Sequence, residues 1–161
     1  MGNMIKIGMA EAALCTPPDA ITTLGLGSCI GIVIYDPTTK ICGMVHIMLP
    51  DSTKIRNNET RAKFADTGIQ DLYNAVIKAG AKKEKLVSKI AGGAQMFAFK
   101  SDNDMLRVGD RNAEAAVKKL NELKVPILAQ DTGKNSGRTV EFYPETGVFL
   151  VKSVGKPPYE I

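Results

Sequence analysis

The sequence predicts an α+β fold in which two helices cover a mostly antiparallel β core. Segments rich in β-branched residues outnumber those with helical spacing, and short turns typical of hairpins separate several of them. Only two segments carry apolar residues at the spacing of an amphipathic helix. The 161 residues show no repeat and no linker-like stretch, so we expect one domain over residues 1–161.

The predicted strands cover, in chain order, residues 4–9, 20–24, 29–35, 41–48, 86–91, 125–130, 139–143 and 147–153. The prolines of "CTPPDA" (15–20) exclude a helix between the first two, and the turn 36–39 joins the third to the fourth. The polar segment 49–60 is long enough to close over a site, and the tail 155–161 is expected to be exposed or docked.

Helices are predicted over residues 60–79, where Gly80 can end the first, and 111–123, where Asn112 can act as N-cap. Both segments place apolar side chains on one face. They therefore cover the β core rather than form a separate domain.

Composition excludes several classes of function. The chain has no Trp and only 6% aromatic residues, which argues against a stacking platform for single-stranded nucleic acid. No long apolar span predicts membrane insertion. The net charge of +4 is scattered, and its densest stretch, 78–89, is either a solvated helix end or a surface for an acidic partner.

Three cysteines without a CxxC pair indicate free thiols in a reducing, cytoplasmic compartment. Residues 1–3 precede a second methionine, Met4, which we take as the native start. No cofactor or metal is expected. A zinc site built from the three cysteines and His46 lacks close ligand spacing, and the glycines of 25–31 miss the dinucleotide fingerprint.

The chain's single histidine is predicted to lie near a cysteine preceded by glycines. Side chains alternate across a sheet, and the isoleucines of strand 29–35 must share the core face with the apolar residues of strand 41–48. A turn centred on Pro37-Thr38 places Cys29 opposite His46. A turn two residues longer makes His46 diagonal to Cys29 on the same face.

This pair suggests nucleophilic catalysis. An imidazole can take the proton of a thiol and make it a nucleophile, and the glycines around Cys29 let a substrate approach. Backbone N–H groups at Gly27, Ser28 and Cys29 could stabilise an oxyanion. The residue that orients the imidazole stays open among four candidates: Thr22, Thr23, Asp36 and Asp51.

Structural roles remain the alternative. A buried cysteine is usually a small apolar residue, so Cys29 and His46 could both belong to the core. Cys15 and Cys42 lack a glycine-lined approach, and we expect both to be structural.

Five segments resemble the CheD family, the receptor glutamine deamidases of bacterial and archaeal chemotaxis. They are "GLGSCIGIVIYD", "GMVHIMLP", "AGGAQMF", "VGDRNAEAA" and "DTGKNSGRTV", in the family's order from about residue 5 to 155. The last departs from the family's pattern, because Lys134 replaces a second glycine while Gly133 and Arg138 remain.

The resemblance implies that Cys29 is the nucleophile, His46 the general base and Thr23 the residue that orients it. It also implies a layered β/β/α fold shared with the deamidase domain of cytotoxic necrotizing factor toxins. The implied reaction hydrolyses glutamine side-chain amides of chemoreceptor cytoplasmic domains to glutamate through a cysteine thioester.

The resemblance further implies binding to the CheC phosphatase. The segment 92–99 offers Met96, Phe97 and Phe99 as apolar anchors, unless they are ordinary core residues. A rival function is a non-enzymatic adaptor that regulates a chemotaxis phosphatase, and a second enzymatic one is methylester hydrolysis at receptor sites.

Overall fold

The structure, a computed structural model, describes residues 2–95 and 107–161. Its strands are β1 (Met4–Ile7), β2 (Ala12–Cys15), β3 (Ala20–Leu26), β4 (Ile30–Asp36), β5 (Ile41–Ile47), β6 (Val87–Gly92), β7 (Ile127–Thr132), β8 (Arg138–Tyr143), β9 (Val148–Ser153) and β10 (Tyr159–Glu160). Its α-helices are α1 (Ala65–Lys78) and α2 (Val108–Glu122), with short 3-10 turns at Ser52–Lys54, Arg61–Lys63 and Lys83–Lys85. None of the described helices has the length and apolarity needed to cross a membrane.

The strands form two five-stranded sheets. The first has the order β1-β3-β8-β9-β10 and the second the order β2-β5-β4-β6-β7. Within the described residues, only the pairs β1–β3 and β6–β7 are parallel. The predicted mixture of two helices and mostly antiparallel strands is confirmed.

Two apolar cores define the layers. Ile30, Ile32 and Ile34 of β4 face α1 and α2, together with Val45 and Ile47 of β5. The opposite face of the second sheet packs against the first sheet in a separate core. Strand β4 is buried on both faces because it lies between these cores, which explains its nearly continuous apolar sequence.

The structure differs from the predicted elements at β2 and at the start of α2, and it decides the open alternative for the tail. Strand β2 was not predicted, because residues 12–15 are too short and half-exposed to show a clear pattern. The tail docks, since β10 pairs with β9. Helix α2 begins at Val108 rather than Arg111, so Asn112 is a buried helical residue and not the N-cap, which is Arg107.

The β4–β5 hairpin has the longer of the two turns considered above. Asp36 pairs with Ile41, and Gly31 rather than Cys29 lies opposite His46. The Asp36 carboxylate accepts hydrogen bonds from Thr38, and Lys40 adopts a φ of 61°. These features close a four-residue turn over 37–40, two residues longer than a turn centred on Pro37-Thr38.

The loop around Lys134, which departs from the CheD pattern, has a left-handed backbone at residues 133 and 134. Lys134 has a φ of 62°, next to Gly133 with a φ of 81°. Its carbonyl accepts from the Gln95 N–H, and the Gly133 carbonyl accepts from the buried Arg138 guanidinium. Lysine therefore occupies a conformation that favours glycine.

Candidate active site

His46 lies between the two sheets and contacts Thr23 of the first sheet. Thr23 Oγ1 is 2.7 Å from His46 Nδ1, and both side chains are fully buried. The face of β4 that carries Gly31, Val33 and Tyr35 packs on the first sheet, together with the face of β5 that carries His46. Thr23 of β3 therefore lies next to His46. Gly31, opposite His46, leaves room there: a Cβ at Gly31 would lie 3.5 Å from the Thr23 methyl.

The contact with Thr23 determines the tautomer of His46. The Thr23 hydroxyl donates its one proton to the Ile7 carbonyl, 2.9 Å away. The same oxygen must therefore accept from His46, so Nδ1 carries the ring proton. His46 Nε2 is then an unprotonated acceptor, and this buried atom has no hydrogen-bond partner among the described residues. An unsatisfied buried nitrogen of this kind is available as a base.

Cys29 lies on the same face of the second sheet, one residue before β4 begins. Because Gly31 is opposite His46, Cys29 is its diagonal neighbour. Diagonal neighbours are about 7–8 Å apart on a sheet face, within the reach of a long side chain. Cys29 joins the core between the sheets but keeps 8% of its surface exposed, whereas His46 keeps none.

Burial makes both groups neutral near pH 7. Loss of solvent raises the pKa of the Cys29 thiol and lowers the pKa of the His46 imidazole. The resting pair is therefore a thiol and a neutral imidazole rather than a thiolate and an imidazolium. Such a pair can transfer a proton when a substrate is attacked.

The loop before Cys29 is held through its carbonyl groups. The carbonyls of Gly27 and Cys29 accept from the N–H groups of Ala94 and Gly93, at 2.8 and 2.9 Å. The Ser28 carbonyl accepts from Asn112 Nδ2 at 2.9 Å. The Gly27 N–H donates to Gly25, but no hydrogen bond between described residues is donated by the N–H of Ser28 or Cys29.

Two glycines are required by this arrangement. Gly25 adopts a φ of 69°, where the β3–β8 register shifts and the chain turns toward Cys29. A Cβ at Gly92 would lie 2.2 Å from the Cys29 carbonyl oxygen. The backbone of β6 can approach the cysteine this closely only because residue 92 has no side chain.

The other candidates for orienting the imidazole bind elsewhere. Thr22 donates to the Val140 carbonyl, Asp36 holds the hairpin turn, and Asp51 caps the turn at 52–54. The remaining cysteines, Cys15 and Cys42, are directly opposite each other on β2 and β5. Among the described residues, no group of three or more His, Cys, Asp or Glu side chains could hold a metal ion.

The structure bears differently on two further predicted features. Met96, Phe97 and Phe99 lie outside the described residues. The start of the segment 49–60 is attached to α1, because the Ser52 N–H and hydroxyl both donate to the Asp66 carboxylate.

Sequence reasoning missed the role of Asn112 in the site. Its Nδ2 donates to the carbonyls of both Ser28 and Met48, at 2.9 Å each. It is fully buried, on the same helix face as Ala116 and Leu120. A polar residue at i, i+4 spacing with buried apolar residues was the signal that could have revealed it.

Comparison with known proteins identifies the family of the chain. A family model described as CheD chemotactic sensory transduction matches residues 48–153. A protein of Lachnoclostridium phytofermentans, named a probable chemoreceptor glutamine deamidase CheD, is 66% identical over the full length of both chains. The chain belongs to the CheD family.

Two further relatives are named chemoreceptor glutamine deamidases. The chemoreceptor glutamine deamidase CheD of Halalkalibacterium halodurans is 51% identical over 100% of both chains. That of Bacillus subtilis is 45% identical over 94% of this chain and 92% of its own. The identity extends over both sheets and both helices, so the resemblance of the quoted motifs reflects membership of the CheD family.

Proposed function

We propose that this chain hydrolyses glutamine side-chain amides of chemoreceptors to glutamate, with Cys29 as nucleophile, His46 as general base and Thr23 as the residue that orients the imidazole. The names of its relatives support the reaction and the substrate class. The observation that carries the assignment of residues is the unpartnered Nε2 of His46, whose Nδ1 proton is held by Thr23, on the sheet face shared with Cys29.

The first half of the reaction forms a thioester. His46 Nε2 takes the proton of the Cys29 thiol as the sulfur attacks the amide carbon of glutamine. The carbonyl oxygen becomes an oxyanion, which the N–H groups of Ser28 and Cys29 can stabilise because they donate no other bond among the described residues. His46 then gives its proton to the amide nitrogen, the carbon–nitrogen bond breaks, and ammonia leaves.

The second half consumes water. His46 Nε2, again neutral, takes a proton from a water molecule that attacks the thioester carbon. The carbon–sulfur bond breaks, the proton returns to sulfur, and glutamate is released. Thiol, imidazole and water supply all the atoms and protons, so the proposal includes no cofactor.

The proposal places the reaction on the cytoplasmic domains of receptors and therefore in the cytoplasm. Conversion of a neutral amide to a carboxylate changes receptor charge. The CheC contact at Met96, Phe97 and Phe99 and the likeness to cytotoxic necrotizing factor toxins stay predictions.

Mass spectrometry of a purified receptor cytoplasmic domain tests the proposal. Wild type and the control variant Cys42→Ala should convert receptor glutamines to glutamates, and Cys29→Ala should not, with a loss of rate of about 10⁴-fold or more. Conversion by Cys29→Ala at the wild-type rate would contradict the nucleophile.

The same spectra separate the alternative functions. Methylester hydrolysis removes the mass of a methylene group, whereas deamidation replaces an NH₂ group by OH. A non-enzymatic adaptor would bind a chemotaxis phosphatase equally well in wild type and Cys29→Ala, while neither changes the receptor's mass.

A further inference from the structure

We propose that Asn112 is a positioning residue for the reaction, because it turns the peptide between Ser28 and Cys29 so that the Cys29 N–H faces the substrate. This inference rests on the proposed function and adds to it a residue from α2. The evidence is the direction of the carbonyls in the nucleophile loop, which is residues 27–29.

In a trans peptide, the C=O and the N–H of one peptide unit point in opposite directions. Only the Pro17-Pro18 bond is cis among the described residues, so the peptide units of the loop are trans. Asn112 Nδ2 draws the Ser28 carbonyl toward α2 with a 2.9 Å hydrogen bond. The N–H of the same unit belongs to Cys29 and must therefore point away from α2.

The preceding peptide unit is turned in the same way. Its carbonyl, on Gly27, accepts from the Ala94 N–H at 2.8 Å, so the Ser28 N–H points away from Ala94. Residues 93–94 themselves lie against α2: a Cβ at Gly109 would be 2.6 Å from the Ala94 carbonyl oxygen. Both carbonyls are thus drawn toward the helix, and both N–H groups point toward the opposite side.

Asn112 also ties this loop to the strand that carries the base. Its second Nδ2 hydrogen bond goes to the Met48 carbonyl, two residues after His46. The two bonds leave Oδ1 buried and without a partner among the described residues. A buried amide that leaves its own oxygen unsatisfied is costly, which is expected where its position serves function rather than stability.

Two reactions of Cys29 differ in whether they need a hydrogen-bond donor for an oxyanion. Deamidation passes through an oxyanion. Alkylation of Cys29 by iodoacetamide displaces iodide from a CH₂ group and forms none. A misplaced Cys29 N–H should therefore slow deamidation and leave alkylation unchanged.

The test compares wild type with Asn112→Leu, which has similar size but no donor, and with Asn112→Ala in case the leucine does not fit. We expect kcat for receptor deamidation to fall by about 10- to 10²-fold, with KM and the alkylation rate of Cys29 nearly unchanged. Leu120→Ala is the matched control, because it removes buried contacts of the same helix without touching the loop. It should lower the thermal midpoint and leave kcat close to that of wild type.

Three outcomes would overturn the inference: an unchanged kcat in the Asn112 variants, a parallel fall of kcat and alkylation, or an equal fall of kcat in Leu120→Ala. Cys29→Ala is measured alongside. If it deamidates as fast as wild type, the proposed function fails and the inference falls with it. If the reaction depends on Cys29 but not on Asn112, the inference alone fails.

Discussion

Cys29 and Cys42 lie at opposite ends of one hairpin and face the same core between the sheets, yet their surroundings differ. Cys42 is near the closed turn, fully buried, and lies directly opposite Cys15. Cys29 is at the open end, keeps a small exposed surface, and is a diagonal neighbour of His46.

The comparison shows that position along the hairpin, and not residue type, separates a candidate nucleophile from a core thiol. Cys42 and His46 share β5 and the same face, but four residues of strand place them about 13 Å apart. Burial raises the pKa of both thiols, so neither is a thiolate at rest. Of these two thiols, only Cys29 has the proposed base, His46, within reach.

The largest effect is expected when the proposed base, His46, is removed. His46→Gln should leave Cys29 as unreactive as Cys42 and lower kcat for deamidation by about 10²- to 10⁴-fold. Glutamine is chosen because its size is close to that of histidine and it cannot take up a proton at neutral pH. Steady-state ammonia release measures the effect, and a kcat close to that of wild type would exclude His46 as the base.

A smaller loss of kcat is expected when His46 is kept but the hydrogen bond that orients its imidazole is removed. Thr23→Ala removes the acceptor for the Nδ1 proton, so the proton can move to Nε2 and block the base; we expect kcat to fall by about 10- to 10²-fold. The control Thr23→Ser keeps the hydroxyl and should retain most activity. Equal losses in both variants would mean that Thr23 acts through packing of its methyl group.

The pH dependence of kcat/KM tests the proposed Cys29–His46 pair in the unmodified protein. In the proposed mechanism the active form has a neutral His46, and burial lowers the pKa of His46 below the ordinary 6.5. Activity should therefore persist at pH 6.5 and fall only below it, about tenfold per pH unit beyond the His46 pKa. Because burial raises the pKa of Cys29 above 9.0, no decline is expected between pH 7 and 9. An acid limb with a midpoint above 6.5 would contradict the buried neutral imidazole.

The smallest effect on activity is expected at the closed end of the hairpin. Cys42→Ala should leave kcat close to the wild-type value while lowering the free energy of unfolding by about 1 kcal/mol, because a fully buried side chain loses its sulfur. Chemical denaturation and the deamidation assay together check both parts. A loss of kcat as large as that of Cys29→Ala would remove the distinction between the two thiols.

Sequence pattern alone was enough to place most strands and both helices along the chain, and to assign the faces of the hairpin. Alternation has a period of two residues, so the apolar pattern of β4 and β5 is enough to place Cys29 and His46 on a shared face. That conclusion is the same for both turn lengths considered, because a shift of two residues preserves the face.

The contacts between layers depend on how the two sheets and the helices pack. The hydrogen bonds of Asp36 and the left-handed Lys40 set the register, and the packing of the first sheet on the second brings Thr23, not Thr22, to His46. Asn112 reaches the nucleophile loop only because α2 docks on the second sheet. Local pattern carries no information on such contacts, since they join residues that are distant in sequence and depend on how whole layers pack.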